Sequence, residues 1–354
     1  MDIKHHPLYQ EDLRYVAELP YPWDKLQNKT LLLSGATGLI GTFLSDVIMT
    51  KNQDDGLNCK VIGICRNEAK AYERFDDYAE NPLFQIVPHN VNAPFSNERP
   101  FLQVDFALHL ASNTHPIAYA TDPIGTILTN ILGTQNMLSV AARYPKCRFL
   151  FASSVEVYGE NRGDTEFFKE DYCGYINSNT LRAGYPESKR AGEALCQAYL
   201  RQYGTDVVIV RLARSYGPTI LKGDSRAISQ FIRKALAQED IVLKSAGTQY
   251  YSYTYVADAV SGLLTVLLCG QTGEAYNIAD TASDITLKDL ADLIAHVAGQ
   301  KVVFETPDIL ESAGYSKATK ARLDSAKLQS LGWSANYTLA QGIEKTLRIL
   351  RNSY

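Results

Sequence analysis

The sequence predicts an α/β fold: a doubly wound parallel sheet of the Rossmann type, with helices on both faces and a smaller C-terminal lobe. Three observations predict it. Short apolar runs alternate with helical spacings from residue 30 to about 212. A glycine-rich turn joins the first run to the first helix. Beyond residue 213 the alternation loosens into shorter segments.

Residues 1–29 read as an N-terminal extension whose aromatic and proline-rich patch (Tyr21, Pro22, Trp23) is suited to pack on the main body. Residues 30–212 read as the dinucleotide-binding domain. Thr30–Ser34 (TLLLS) is a buried strand, and Leu39–Met49 has helical spacing. Strands follow at Lys60–Cys65, Phe84–Val87, Val104–Leu110, Arg148–Ser153 and Val207–Leu212, with helices at Ile124–Arg143 and Ala183–Tyr203. Residues 213–354 read as a substrate-binding lobe, part of whose chain returns to the sheet. It holds helices at Ala227–Gln238, Val256–Leu268, Leu287–Val297 and Leu339–Leu350. A short strand at Ile241–Leu243 precedes an aromatic run, Tyr250, Tyr251, Tyr253 and Tyr255.

The 354 residues suit one large α/β unit or two lobes sharing a core. A net charge of −4 supplies no basic field for a nucleic-acid backbone or an anionic membrane, so neither is an expected partner. No apolar run is long enough to span a bilayer, and the N-terminus lacks the apolar core of a signal peptide. The six cysteines form no C-x-x-C pair and sit mostly in apolar stretches. They read as buried free thiols, without a disulfide framework or a metal site, in a reducing cytoplasm.

Gly35-Ala36-Thr37-Gly38-Leu39-Ile40-Gly41 follows the first strand directly and opens a helix. In this G-x-x-G-x-x-G spacing the first glycine permits a tight turn. The second lets backbone amides approach a pyrophosphate, and the third lets helix and strand pack closely. The helix N-terminus then offers unpaired N–H groups and a favourable dipole. A nicotinamide dinucleotide is the expected cofactor. The second strand ends in Cys65-Arg66-Asn67, with no acid for the ribose, so the choice stays open between NAD and NADP. Asn90, after the third strand, is placed either for adenine or for a plain turn.

Tyr185 and Lys189 stand four apart at the start of a helix and share one face. A phenol titrates near ~10, and a nearby ammonium favours its ionised form. Tyr185 is then a base for a sugar hydroxyl while hydride leaves the same carbon. Ser154, ending the fifth strand, is placed to hydrogen-bond that hydroxyl. Glu156 is a second acid/base, a sugar-positioning group or a loop cap.

Together these residues resemble the extended short-chain dehydrogenase/reductases that act on nucleotide sugars, and among them most resemble the UDP-glucuronate decarboxylases. His109–Leu138 and Glu170–Tyr199 carry the resemblance, with Arg182, Tyr185, Lys189 and Arg190 at matching positions. It implies cofactor contacts at Leu110, Ala111 and Ser112 beside those of the glycine turn. It implies substrate contacts at Tyr119, Asn177, Arg182, Arg226 and Arg322, and a homodimer paired through the helices near 124–143 and 185–203. The chain departs from the family pattern at Arg214, where an Asn is usual, and at Thr219 and Tyr251, where arginines are usual. Arg214 is a candidate for binding phosphate or a substrate carboxylate.

The resemblance implies oxidation at C4 to a 4-keto sugar. Decarboxylation of that ketone is the first expectation, 4-epimerisation the second and 4,6-dehydration the third. A non-catalytic nucleotide-binding protein and a plain ketone reductase are the rivals from other classes.

Overall fold

The computed structural model describes residues 3–96, 101–306, 315 and 318–351. The N-terminal segment forms α1 (Pro7–Glu18), started by Pro7 and by the His6 ring, which accepts from the Leu8 N–H. Then come β1 (Thr30–Ser34), α2 (Leu39–Asp55), β2 (Lys60–Cys65), α3 (Glu68–Arg74), β3 (Phe84–Pro88) and β4 (Phe106–His109). Next are α4 (Pro116–Thr121), α5 (Pro123–Ala141), β5 (Arg148–Ser154), α6 (Gly184–Tyr203), β6 (Asp206–Leu212), β7 (Arg214–Tyr216), α7 (Ala227–Leu236), β8 (Ile241–Leu243), β9 (Tyr250–Tyr255) and α8 (Val256–Cys269). The chain continues through β10 (Ala275–Ile278), β11 (Asp284–Thr286), α9 (Leu287–Ala298), β12 (Val302–Phe304), β13 (Lys320–Ala321), α10 (Ala326–Gln329) and α11 (Leu339–Arg351).

Seven strands form one parallel sheet in the order β10-β6-β5-β4-β1-β2-β3. Every residue of β1 is buried, which its uninterrupted apolar run requires of a strand covered on both faces. The chain runs outward from β1 through β2 and β3, then crosses back to β4 on the other side of β1. That reversal opens a crevice at the carboxyl ends of β1 and β4, where open α/β sheets take ligands. One layer of core includes Phe43, Val47, Leu263 and Leu267 from α2 and α8. The opposite layer includes Met137, Leu138 and Cys196 from α5 and α6.

Three features differ from the sequence reading. The fourth strand starts at Phe106 rather than Val104, because the Asp105 carboxylate accepts from the Thr30 N–H (2.9 Å) and from Lys29 (3.2 Å). The aromatic run, assigned to no element in the sequence, forms a strand outside the main sheet. It is β9, which pairs with β7, β11 and β13 in a second small sheet that roofs the crevice. Cys173 and Cys269 are exposed, whereas the other four cysteines are buried free thiols.

The N-terminal segment is built into the core. The Tyr9 ring meets Phe43 edge-on at 5.5 Å, and its hydroxyl donates to buried Asp46 at 2.6 Å. Asp12 accepts from the Tyr255 hydroxyl at 2.5 Å and pairs with Lys345 at 2.8 Å. Among the described residues no helix is long and apolar enough to cross a membrane.

Candidate active site

Gly35 adopts φ +74°, and a Cβ there would stand 2.7 Å from the Ala111 nitrogen. At Gly41 a Cβ would meet the Gly35 carbonyl oxygen at 2.2 Å, so α2 packs against the turn only with glycine. Gly38 starts α2 with no side-chain cap. The first N–H groups of this 17-residue helix are therefore left for a ligand, the arrangement that binds pyrophosphate. A cradle that added Cβ atoms would fill, beneath an uncapped helix start, fits a dinucleotide.

A cavity of about 720 Å³ runs from this turn past the end of β5 to β8 and β9. Pockets for small molecules typically hold roughly 300–1,000 Å³, so this one has room for an extended ligand. Its wall includes Gly35, Thr37, Gly38, Leu39, Ile40 and Gly41 from the turn. Arg66, Asn90, Leu110, Ala111 and Ser112 come from the ends of β2, β3 and β4. The Asn90 side-chain carbonyl accepts from the Asn92 N–H at 3.1 Å, so it also shapes the turn in which it sits.

Tyr185 lies in the first turn of α6 and is buried. Burial raises its pKa, opposed by a hydrogen bond with Ser154. Ser154 Oγ accepts from the Glu156 N–H at 3.3 Å, which fixes the serine at the start of the following turn. Lys189 Nζ donates to the Ala152 carbonyl at 2.7 Å and stands 6.0 Å from the centre of the Tyr185 ring. Burial pulls its pKa down to about 7, opposed by the charge of Glu193. Burial thus disfavours the charged form of both groups, and it opposes the ionisation of the phenol that a neighbouring ammonium favours.

Glu156 follows Ser154 in a short 3₁₀ turn, Val155–Tyr158. One carboxylate oxygen pairs with Arg182 at 2.9 Å and the other with Arg214 at 3.4 Å. Arg182 covers the Tyr119 ring at 4.6 Å, and Tyr119 packs on Tyr185 with ring centres 4.8 Å apart. The Arg214 guanidinium lies 3.4 Å above the Tyr251 ring. Glu156 is therefore clamped between two guanidiniums, one on each carboxylate oxygen.

Most of the residues singled out from the sequence meet in this one cavity; three need correction. Asn177 is exposed and does not line it, because its side chain accepts from the Asn179 N–H within the loop before α6. Arg322 does not line it either. It reaches Glu166 at 3.1 Å and stacks on Phe167 and Tyr250. Arg226 lines the cavity, but its charge is spent on Asp224 at 2.5 Å and its remaining amino group on the Ser215 carbonyl at 2.9 Å.

Two supporting residues were missed. Asn130 accepts from Ser112 (2.7 Å) and donates to Ser188 (2.9 Å), tying the end of β4 to α6. Glu193 receives Ser153 (2.5 Å) and Arg211 (2.7 Å) beneath Lys189. A polar residue at a buried helical position was the available signal for Asn130. Thr219 binds the Leu39 carbonyl at 2.8 Å, and Arg74 bridges Thr42 and Thr219. The position of one absent family arginine therefore fastens the C-terminal lobe to the glycine-turn helix.

Fold and cavity define a dinucleotide-binding α/β protein with a Tyr–Lys pair at the carboxyl edge of its sheet. The chain belongs to the NAD dependent epimerase/dehydratase family, whose model matches residues 31–279. It is 32% identical over 320 residues to a UDP-glucuronic acid decarboxylase of Arabidopsis thaliana, covering 89% of this chain and 87% of that one. A UDP-glucuronic acid decarboxylase of Xenopus tropicalis is 31% identical over 323 residues, covering 91% and 72%. Among solved structures, the UDP-glucuronic acid 4-epimerase of Bacillus cereus superposes with a TM-score of 0.77 at 22% identity, over 92% of this chain and 100% of that one. The dTDP-glucose 4,6-dehydratase of Bacillus anthracis, solved with NAD, gives 0.74 at 20% identity, over 92% and 97%. These two likenesses are of fold.

Proposed function

We propose that this protein is an NAD-dependent nucleotide-sugar enzyme working through a 4-keto sugar, with a net reaction most like decarboxylation of a UDP-uronic acid. The observation that carries this reading is the gathering of Tyr185, Ser154, Lys189 and the clamped Glu156 in the cavity that begins at the glycine turn. The likeness to decarboxylases over nine-tenths of the chain supports the choice of reaction.

Gly35, Gly38 and Gly41, with Arg66, Asn90 and Ser112, would hold NAD, which when bound supplies a reversible hydride acceptor for C4. Tyr185 takes the proton of the C4 hydroxyl, and Ser154 holds that hydroxyl in line. Lys189 lies beneath as the cation that offsets the phenolate. With a carboxylate on C5 the ketone is a β-keto acid. Its C5–C6 bond breaks, the electron pair passes into the C4–C5 enolate, carbon dioxide leaves and a proton adds at C5. Restoring the C4 alcohol leaves no net redox. Glu156 has both carboxylate oxygens engaged by Arg182 and Arg214, so it is placed to position the sugar rather than to assist 4,6-dehydration. Epimerisation at C4 is the second reading, supported by the likeness of fold to a UDP-glucuronic acid 4-epimerase.

Mass spectrometry of products from a nucleotide-sugar panel separates these outcomes: a loss of about 44 mass units means decarboxylation, a loss of about 18 dehydration and an isobaric product epimerisation. No product from any sugar, with no change in cofactor absorbance, sinks the reading in favour of a binding protein.

We also assign the protein to the cytoplasm as a homodimer. Ile124, Leu128 and Leu132 are exposed along α5, an apolar stripe suited to a two-fold partner. Light scattering that returns the monomer mass would overturn the dimer.

A further inference from the structure

Arg214 carries charge that the proposed reaction leaves unused. It projects from β7 into the cavity, stacked on Tyr251 and 3.4 Å from Glu156. Arg182, from the turn before α6, reaches the other oxygen of the same carboxylate. The two side chains are only 17% and 12% exposed. Among the described residues, Arg182 Nε and Nη1 and Arg214 Nη1 are buried without a hydrogen-bond partner. Arg226, by contrast, has Nε, Nη1 and Nη2 all engaged.

Two guanidiniums against one carboxylate leave a single positive charge and three donor nitrogens without a hydrogen-bond partner. Buried donors are rarely left idle in folded proteins, and buried charge is rarely left uncompensated. A ligand carrying one negative charge on two coplanar oxygens satisfies both demands, and guanidinium is the group best shaped to grip it. A diphosphate carries more negative charge than this single surplus cation offsets. The position also selects the ligand group. Arg182 lies 5.8 Å from the Tyr185 ring and 4.6 Å from that of Tyr119. A group gripped by Arg182 therefore lies beside the Tyr185 and Tyr119 rings.

We propose that Arg214, with Arg182, forms a receptor for a carboxylate on the sugar ring, and that Arg214 determines the preference for a uronic acid over a neutral hexose. This deepens the nucleotide-sugar reading and rests on it.

The test is calorimetric binding of UDP-glucuronate, UDP-glucose and UDP to the NAD-loaded protein and to its Arg214→Asn and Arg214→Lys variants. The wild type is expected to prefer UDP-glucuronate over UDP-glucose by about tenfold or more. In Arg214→Asn that preference collapses toward unity while affinity for UDP is unchanged, and Arg214→Lys falls between. Bound NAD and melting temperature verify that each variant is folded. If Arg214→Asn weakens all three ligands alike, the guanidinium holds the diphosphate and the proposal is wrong. Equal wild-type affinity for the two sugars also overturns it but leaves the nucleotide-sugar reading standing. A wild type that binds none of the three overturns both.

Discussion

Lys189 donates its buried ammonium to the Ala152 carbonyl at 2.7 Å, one strand residue before the serines that end β5. The bond anchors α6 to the strand and leaves the cation 6.0 Å from the centre of the Tyr185 ring. Burial leaves the lysine with a pKa of about 7, so its charged form is costly in the native state. Below pH 7 that cost is present in full. It fades as pH rises toward the ordinary lysine value near ~10, because there the unfolded chain binds the extra proton.

Replacing Lys189 with Met should therefore separate stability from activity. Turnover is expected to fall about a hundredfold or more, and the acidic limb of the pH–rate profile to move to higher pH, because Tyr185 loses the cation that favours its base form. The melting temperature at pH 6 should not fall, and any gain over wild type should shrink toward pH 10. An unmoved pH profile would leave Lys189 a purely structural anchor.

Tyr185→Phe removes one oxygen from a buried ring. Loss of turnover by about two or more orders of magnitude is expected, with the amount of bound NAD unchanged, because the glycine turn and the β4 end are intact. Single-turnover cofactor absorbance measures the step. Near-wild-type turnover would remove Tyr185 from the chemistry.

The Tyr185–Lys189 pair and the glycine turn were legible because each is a local spacing tied to one element. A phenol and an amine four apart share a helix face whatever surrounds them. The Arg182–Glu156–Arg214 clamp was not legible as a unit, because its members come from three segments that meet only in the fold. Motif position placed Asn177 and Arg322 in the right region of the chain. It did not show that one serves its own turn and the other a surface glutamate. Unbroken apolar runs such as the leucines of β1 announced themselves, while β10, in which Tyr276 and Asn277 break the apolar run, gained its place in the sheet only by pairing with β6.

Asp258 makes stability depend on pH. It is buried at the start of α8, where its carboxylate accepts from the N–H groups of Asn336 (2.9 Å) and Tyr337 (3.0 Å). Burial pushes its pKa up to about 7 against those two bonds. Between about pH 4 and 7 the native protein holds a proton that the unfolded chain has released, so the stability it contributes is lost as pH rises. Asp258→Asn keeps an acceptor and removes the ionisation. Melting curves should show little difference near pH 4 and a higher melting temperature than wild type at pH 8. Parallel curves across that range would exclude Asp258 as the titrating group.

Tyr9 joins the N-terminal segment to the cofactor helix. Its ring packs on Phe43 and its hydroxyl on Asp46, both in α2, the helix whose N-terminus faces the cavity. Tyr9→Ala opens a void against Phe43 and removes one donor from a fully buried carboxylate. A loss of about 3 kcal/mol or more in urea unfolding is expected. Tyr9→Phe keeps the ring and loses only the hydrogen bond. Tyr78 still donates to the other Asp46 oxygen at 2.9 Å, so about 1 kcal/mol is expected. The order of the two losses carries the test. Equal losses would mean that the hydroxyl, not the ring, holds the segment down. No loss in either would mean that α1 rests on the main body without stabilising it.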